Sequence, residues 1–517
     1  MMRRALLVTL LISVLGVADE RTLFEADGGF ASVNVIDKAV LASLNRNGID
    51  PARRCSDEVF VRRVHLDVIG TLPRPEEVVR FLGDRRPDKR RRLIDDLLAR
   101  DEFADYWALK WSDLLRVKAE FPINLWPNAV QAYHRWIHDC IRLNRPYDRM
   151  ARTMLTASGS NFREPAVNFW RATQSREPSA LAHAVGVTFM GVRIERWPKE
   201  RRDAMAQFFS RIAFKRTVEW KEEIVFPNPA PARSSSTAFP DGTGVRIAGD
   251  ADPRKVFADW LIQRDNPWFA PCVVNRIWAW LMGRGIVHEP DDFRPDNPPS
   301  NPDLLAALSK ELVVSGYDLR HIYRLILNSA TYQQSSISRT RSRRAEALFA
   351  HYIVRRLDAE VLIDAVCSIT GTHEKYASPI PEPFTFLPED DRTIELADGS
   401  ITSPFLEMFG RPTRDTGLWS ERNNGCTGAQ RLFLLNSSDI QRRIERSAKL
   451  AALVRGGRRD PDRAIRSIYL LILSRHPLPA ETAALRKYGR AARLSGKRLA
   501  DDLVWALINS KEFLYAH

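Results

Sequence analysis

Several acidic and basic side chains sit where the chain loses helical periodicity. Asp291 and Asp292 lie in His288-Glu289-Pro290-Asp291-Asp292, and Asp296 to Asp303 follow at once. Arg411, Arg414 and Asp415 precede Glu421-Arg422, and Arg276 interrupts the apolar run 270–282. A guanidinium offers a planar fork that grips two oxygens of a carboxylate or sulfate. Carboxylates can hold a cation or move a proton. The candidate polar site is therefore Arg276, Asp291, Asp292, Arg411 and Arg422. If they converge they form a functional site, and if they scatter the protein is a scaffold. Asp67 stands near a helix end, where it could cap or pair with Arg62 or Arg63.

Other constellations favour structural readings. His134 and His138 share a helix face at i, i+4, but no carboxylate sits between them and no third ligand can be named, so no metal is expected. The oxygen-rich run 288–303 lacks the glycine and closing glutamate of a calcium-binding EF-hand loop. Ser300 or Asn301 as a helix cap before Pro302 explains part of it. There is no Gly-x-Ser-x-Gly, no phosphate-binding glycine loop and no paired-carboxylate signature. An enzymatic role is left open.

The elements that must carry these residues read as mainly α: two helical domains with a short β hairpin and irregular Pro-rich inserts. Aromatic and apolar residues recur at helical spacing at Phe103, Trp107, Trp111 and Leu114, and at Val130, Tyr133, Ile137 and Cys140. Such stripes are core faces. Residues 217–226 are β-branched and aromatic, which predicts a strand or hairpin. The expected organisation is a leader at 1–18, a helical domain at 30–225, a linker at 226–250 rich in Pro, Ser and Gly, and a second helical domain at 251–517 with a Pro-rich insert at 371–404.

The first 18 residues read as an export signal: Arg3-Arg4, an apolar stretch, then Gly16 and Ala18 before an expected cut. No later stretch predicts a membrane helix. The net charge is +14 and the pI about 9.7, which creates a positive long-range field. For an exported chain this excludes nucleic acid and points to an anionic polysaccharide or an acidic envelope protein. Five cysteines lie far apart. Their number is odd, so they cannot all pair within the chain. Cys272 and Cys367 read as small core residues.

Taken together, several tracts resemble a known pair of domains. Arg62-Arg63 through Leu66-Asp67 to Pro73-Arg74-Pro75-Glu76-Glu77, with Arg145-Pro146-Tyr147-Asp148, is similar to the planctomycete "cytochrome C" domain of unknown function. Asp252-Pro253-Arg254, Val274 to Trp278, Gly283 to Val287, Arg356-Leu357-Asp358-Ala359-Glu360, Phe409 to Pro412 and Asn509 to Phe513 resemble the planctomycete-specific domain that follows it. The resemblance implies an extracytoplasmic, mostly helical protein, periplasmic or in the cell envelope. It supplies no reaction. Family members commonly carry Cys-x-x-Cys-His after a Phe-Leu-Gly-Val tract. Here Phe189-Met190-Gly191-Val192 runs into Arg193-Ile194-Glu195-Arg196-Trp197. Leu418 and Ser420 likewise stand where thiols are expected. Covalent haem of this kind needs two thiols and a histidine, so no cofactor is expected. The leading expectation is a cell-envelope binding or scaffold protein with a basic surface. The alternatives are a polysaccharide-active enzyme, or a haemless subunit of an envelope redox complex that docks to a separate cytochrome.

Overall fold

Asn34 opens the helix Val35–Arg46 with a capping box: its side chain accepts from Ile36 and Asp37 N–H groups while Asp37 reaches back. Asp37 also accepts from the Ala330 and Thr331 amides and the Thr331 hydroxyl. One cap thus fastens the start of the chain to its second half. The computed structural model describes residues 23–229, 234–340, 342–457 and 460–517. The expected leader, 1–18, lies outside them. The described chain is mainly α-helical, with sheets of only two or three strands.

Four helices matter most for the site. Asp57–Ile69 is capped by Ser56 and stops at Gly70 in a left-handed turn, φ +63°. A side chain there would lie 2.6 Å from the Tyr106 ring, so glycine both ends the helix and admits its neighbour. Asp101–Leu114 carries the aromatic stripe, with Trp107 and Trp111 buried. Phe269–Met282 crosses nearby, its Trp280 ring 5.5 Å from Trp107 and 5.9 Å from Trp111. Ala359–Thr370 is apolar on almost every face and is buried accordingly.

The expected β element at 217–226 is a turn followed by a strand. β2 (Ile212–Arg216) pairs antiparallel with β3 (Glu223–Pro227), Phe214 opposite Val225, and the short β1 (Gly159–Ser160) lies on the other edge of β3. The stretch expected as a linker contains a hairpin, β4 (Ser235–Ala238) with β5 (Gly244–Ile247). Its apolar residues explain the difference. Phe239 stacks between Phe208, at 5.1 Å, and Trp260, at 5.0 Å, and Ile247 is buried. The insert 371–404 is irregular, with one short 3-10 turn at Thr393–Glu395 and an isolated bridge between Ala377 and Thr402.

The two helical regions share one hydrophobic core. Val35–Arg46 packs on Pro302–Val314, and Tyr147–Thr156 packs on Pro253–Leu261. Arg62 and Arg63 are buried and donate to carbonyls far along the chain: Arg62 to Ile472 and Phe513, Arg63 to Tyr332, Gln334 and His517. Neither contacts Asp67 as the sequence suggested. No described helix is long and apolar enough to cross a membrane.

Candidate functional site

The four helices leave a cavity of about 360 Å³ between them. Leu66 and Asp67 come from the end of Asp57–Ile69, and Tyr106, Lys110 and Asp113 from Asp101–Leu114. These three lie at i, i+4 and i+7, one face of the helix, beside the aromatic stripe. Arg276 and Trp280 project from Phe269–Met282. A two-residue antiparallel pair, Arg355–Arg356 (β6) against Tyr515–Ala516 (β7), adds both arginines. The loop 412–425 closes the remaining side with Trp419, Arg422 and Asn424. Gly417 lets that loop pass over Leu114: at φ +73° a Cβ would stand 2.5 Å from the Leu114 carbonyl oxygen.

Five cations and four carboxylates line this space, and they are matched with one exception. Lys110 contacts Asp358, which also accepts from Asn424 Nδ2 at 2.7 Å and from the Tyr106 hydroxyl at 3.3 Å. Arg355 contacts Asp67, whose other oxygen takes the hydroxyls of Tyr332 at 2.7 Å and Tyr352 at 3.0 Å. Arg276 Nη2 donates to Asp291 Oδ1 at 2.7 Å, and the same guanidinium meets the Val187 and Thr188 carbonyls. Asp291 also accepts from the Trp419 amide, which pins the loop. Arg422 donates to Asp113 at 2.6 Å and to the buried Glu360 at 2.7 Å. Behind it, Arg414 holds the other oxygen of Asp113 at 2.9 Å.

Arg356 is the exception. It is only 4 % exposed. Its Nη2 donates to the carbonyls of Phe409 and Asn423, while Nε and Nη1 have no partner. Among the described residues no carboxylate makes an ion pair with it. Burial lowers its pKa, opposed by Cys426 and Asp358. Asp358 behaves in the contrary way: burial pushes it up, but Lys110 and Arg422 outweigh this and hold the carboxyl well below its ordinary range.

Of the residues the sequence singled out, Arg276, Asp291 and Arg422 line the cavity, and so does Asp67. Asp292 turns away to Arg196 at 2.9 Å and Arg294 at 3.1 Å. Arg411 is buried behind the wall. It donates to the Ile401 and Asp398 carbonyls and lies 3.6 Å from Glu360. Arg355, Arg356, Asp358, Lys110 and Asp113 complete the wall, although the sequence pattern does not single them out. Lys110 offered one signal, a lone cation inside a strongly aromatic helix. His138 pairs with Asp105 at 3.2 Å. His134 is buried without a partner for Nε2, and burial pushes it down to about 3. Asp303 goes to Arg46, and Asn301 caps the helix Pro302–Val314. Among the described residues no three His, Cys, Asp or Glu side chains gather as a metal-ligand set. The five cysteines form no disulfide, and only Cys426 is exposed.

Residues 35–196 match the family model PSCyt2, described as a protein of unknown function (DUF1549), and residues 253–489 match PSD1, described as a protein of unknown function (DUF1553). No curated protein and no solved structure matches the chain. The cavity draws on both matched regions: residues 66–114 of the first, and 276–425 of the second. The tract that follows Gly191 does not fit a thioether-bound haem. It holds no thiol and no histidine, and its charges are engaged, Glu195 with His183 at 2.9 Å and Arg196 with Asp292. The nearest thiol, Cys272, is buried and donates to the Thr188 carbonyl at 3.8 Å.

Proposed function

As a chain that joins a PSCyt2 domain to a PSD1 domain across one cavity, this protein is an anion-binding component of the cell envelope, we propose, and its ligand is an acidic group of an extracytoplasmic glycan. Arg356 carries the reading. Four of the five cations in the wall have a carboxylate partner, and Arg356 alone has none, with Nε and Nη1 buried and unpartnered. A buried guanidinium without a counter-ion is costly unless an anion completes it. The half-buried rings of Trp280 and Trp419 give the same space apolar faces against which a sugar ring can lie. Export rests on the leader-like first 18 residues, and the +14 charge would draw acidic polymers toward the protein.

Binding is favoured over hydrolysis by the state of the carboxylates. Acid–base work on a glycosidic bond needs one carboxyl kept protonated. In this wall Asp67, Asp113, Asp291 and Asp358 are each committed to a cation.

Calorimetric titration of the full chain with D-glucuronate, and with glucose as the neutral control, tests the proposal. Glucuronate binds and glucose does not. Arg356→Gln weakens glucuronate by ten- to a hundredfold, the worth of a charge-assisted bond at about 1.5–3 kcal/mol. Arg92→Gln, at an exposed helix position paired with Asp88, changes nothing. Loss of binding on the exposed substitution, with Arg356→Gln unaffected, would instead place recognition on the general basic surface, where it should fade as salt rises.

A further inference from the structure

The positive charge is gathered toward the end of the chain. Residues 428–517 hold 18 Lys and Arg against 8 Asp and Glu, an excess of 10 out of the whole chain's 14. Three long helices of this stretch, Pro461–Leu473, Pro479–Ala492 and Gly496–Ile508, have ends that printed contacts tell apart. Arg475, just past the first helix, joins Glu481 at the start of the second, at 2.8 Å, and Glu512 just past the third, at 2.6 Å. The opposite end therefore gathers the start of the first, the finish of the second and the start of the third. Lys497 Nζ donates to the Glu445 carbonyl at 2.7 Å, which brings the finish of Ser438–Glu445 there too. Gly457, just past Ala448–Gly456, packs so closely that a Cβ on it would stand 2.7 Å from the Ala464 side chain. This end face carries Arg446, Arg455, Arg463, Arg490, Arg493 and Arg498, all exposed. Among the described residues none of the six makes an ion pair. Three acids of the same helix ends are taken by other cations: Asp460 by Arg466 at 2.8 Å, Asp462 by Arg486, and Asp501 by Lys497 at 2.7 Å.

We infer that this end face docks the protein on the phosphates of an anionic lipid bilayer. Six like charges without counter-charges repel one another, and a dense negative surface relieves them. Each guanidinium can take two phosphate oxygens at once. The six are spread over the ends of five helices, so a plane of headgroups engages them together where a small anion reaches one or two. The same five helices hold only three aromatic residues, Tyr469, Tyr488 and Trp505, and all three are buried. A sugar chain needs a ring to lie against, as the tryptophans of the cavity offer, whereas a phosphate layer needs none. No described helix is long and apolar enough to cross a membrane, so the contact is peripheral. None of the six arginines lines the cavity, and its anion site stands or falls separately.

Residues 19–517 keep every described residue and drop the expected leader, whose apolar run would itself cling to lipid. This chain is floated with vesicles of phosphatidylcholine alone and of phosphatidylcholine mixed with phosphatidylglycerol. It should bind the mixed vesicles, release them as salt is raised, and ignore the neutral ones. Arg490→Gln, Arg493→Gln and Arg498→Gln combined should weaken binding by about a hundredfold, at roughly fivefold for each charge lost near the surface. Removing the same charge elsewhere, with Arg53→Gln, Arg85→Gln and Arg216→Gln at exposed positions, should weaken it by no more than about threefold. Equal losses in the two triple variants would mean that only net charge is read, and would overturn the end face. Binding to neutral vesicles as tightly as to mixed ones, or to neither kind, overturns it too. Polygalacturonate held by the same three arginines while vesicles are ignored would make the face a glycan surface instead. Should the first triple variant fail to fold by circular dichroism, Arg446→Gln with Arg455→Gln takes its place, with an expected loss of about 25-fold.

Discussion

Arg356 and Arg422 face the same cavity but do opposite things for the fold. Arg422 lies against Asp113 and Glu360, with Asp358 3.5 Å away. Glu360 is wholly buried, and without Arg422 it keeps only Arg411, at 3.6 Å, while Asp113 keeps only Arg414. Arg422→Met should cost about 3–5 kcal/mol, the usual price of orphaning one side of a buried pair. Arg356 has no carboxylate partner: it donates to the Phe409 and Asn423 carbonyls and lies 5.3 Å over the Phe409 ring. Glutamine at that position keeps an amide donor and removes an uncompensated charge. Arg356→Gln should therefore shift stability by no more than about 1 kcal/mol. Urea unfolding of the two variants separates the roles. A large loss in Arg356→Gln would mean that this arginine braces the wall rather than waits for a ligand.

At the scale of elements, the helices were legible because their signals are local. Asn301 before Pro302 reads as a cap, and its side chain does accept from the Leu304 amide at 3.1 Å. Nδ2 of the same Asn301 side chain donates to the Ala39 carbonyl at 3.1 Å, a contact across 262 residues that no local pattern announces. Asn301→Ala loses both, and thermal unfolding should show a cost of about 1–2 kcal/mol, more than a cap alone. The site was legible only in part, for the same reason. Local spacing pairs Asp67 with Arg62 or Arg63, yet its cation is Arg355, 288 residues away. Tyr106, Lys110 and Asp113 were hidden beside the stripe of Phe103, Trp107 and Trp111, whose core meaning is the louder signal. Arg356, Asp358 and Glu360 stood in a tract that carried the resemblance, but a tract shared by a family marks structure as readily as a site. The hairpin at 235–247 is hidden in the sequence because Pro, Ser and Gly outweigh the single Phe239 that anchors it.

Across the whole molecule, one continuous core makes local protonation a global matter. His65, in the first region, is buried with Nδ1 2.7 Å from the Val61 carbonyl, and burial pushes it down to about 4 despite Glu77 nearby. His134 is pushed down to about 3, by burial and then by Arg414 and His138. His517, at the other end of the chain, is pushed down to about 4 by burial, beside Glu512 and Arg62. Each folded value lies below the free value of 6.5, so between about pH 6.5 and 4 the unfolded chain binds more protons. Stability from these groups is complete above pH 6.5 and falls as the solution is acidified, by roughly 3 kcal/mol for each histidine. Asp364 runs the other way. Burial raises it to about 6, even though it accepts from the Thr393 and Ile394 amides, so the fold favours its protonated form and gains as pH falls through 6. Of these four groups the three histidines outweigh Asp364 between pH 7 and 4. Urea midpoints measured at pH 7, 6, 5 and 4 should therefore drop steeply and as a single transition, because the histidines lie in both regions and the core joins them. His65→Gln should flatten the slope without moving the lowest-pH midpoint by as much. Midpoints that stay level down to pH 4.5 would mean that these histidines are not held neutral by the fold, whereas two transitions that separate on acidification would mean that the regions do not share their core in solution, and that a cavity built from both opens when either one loosens.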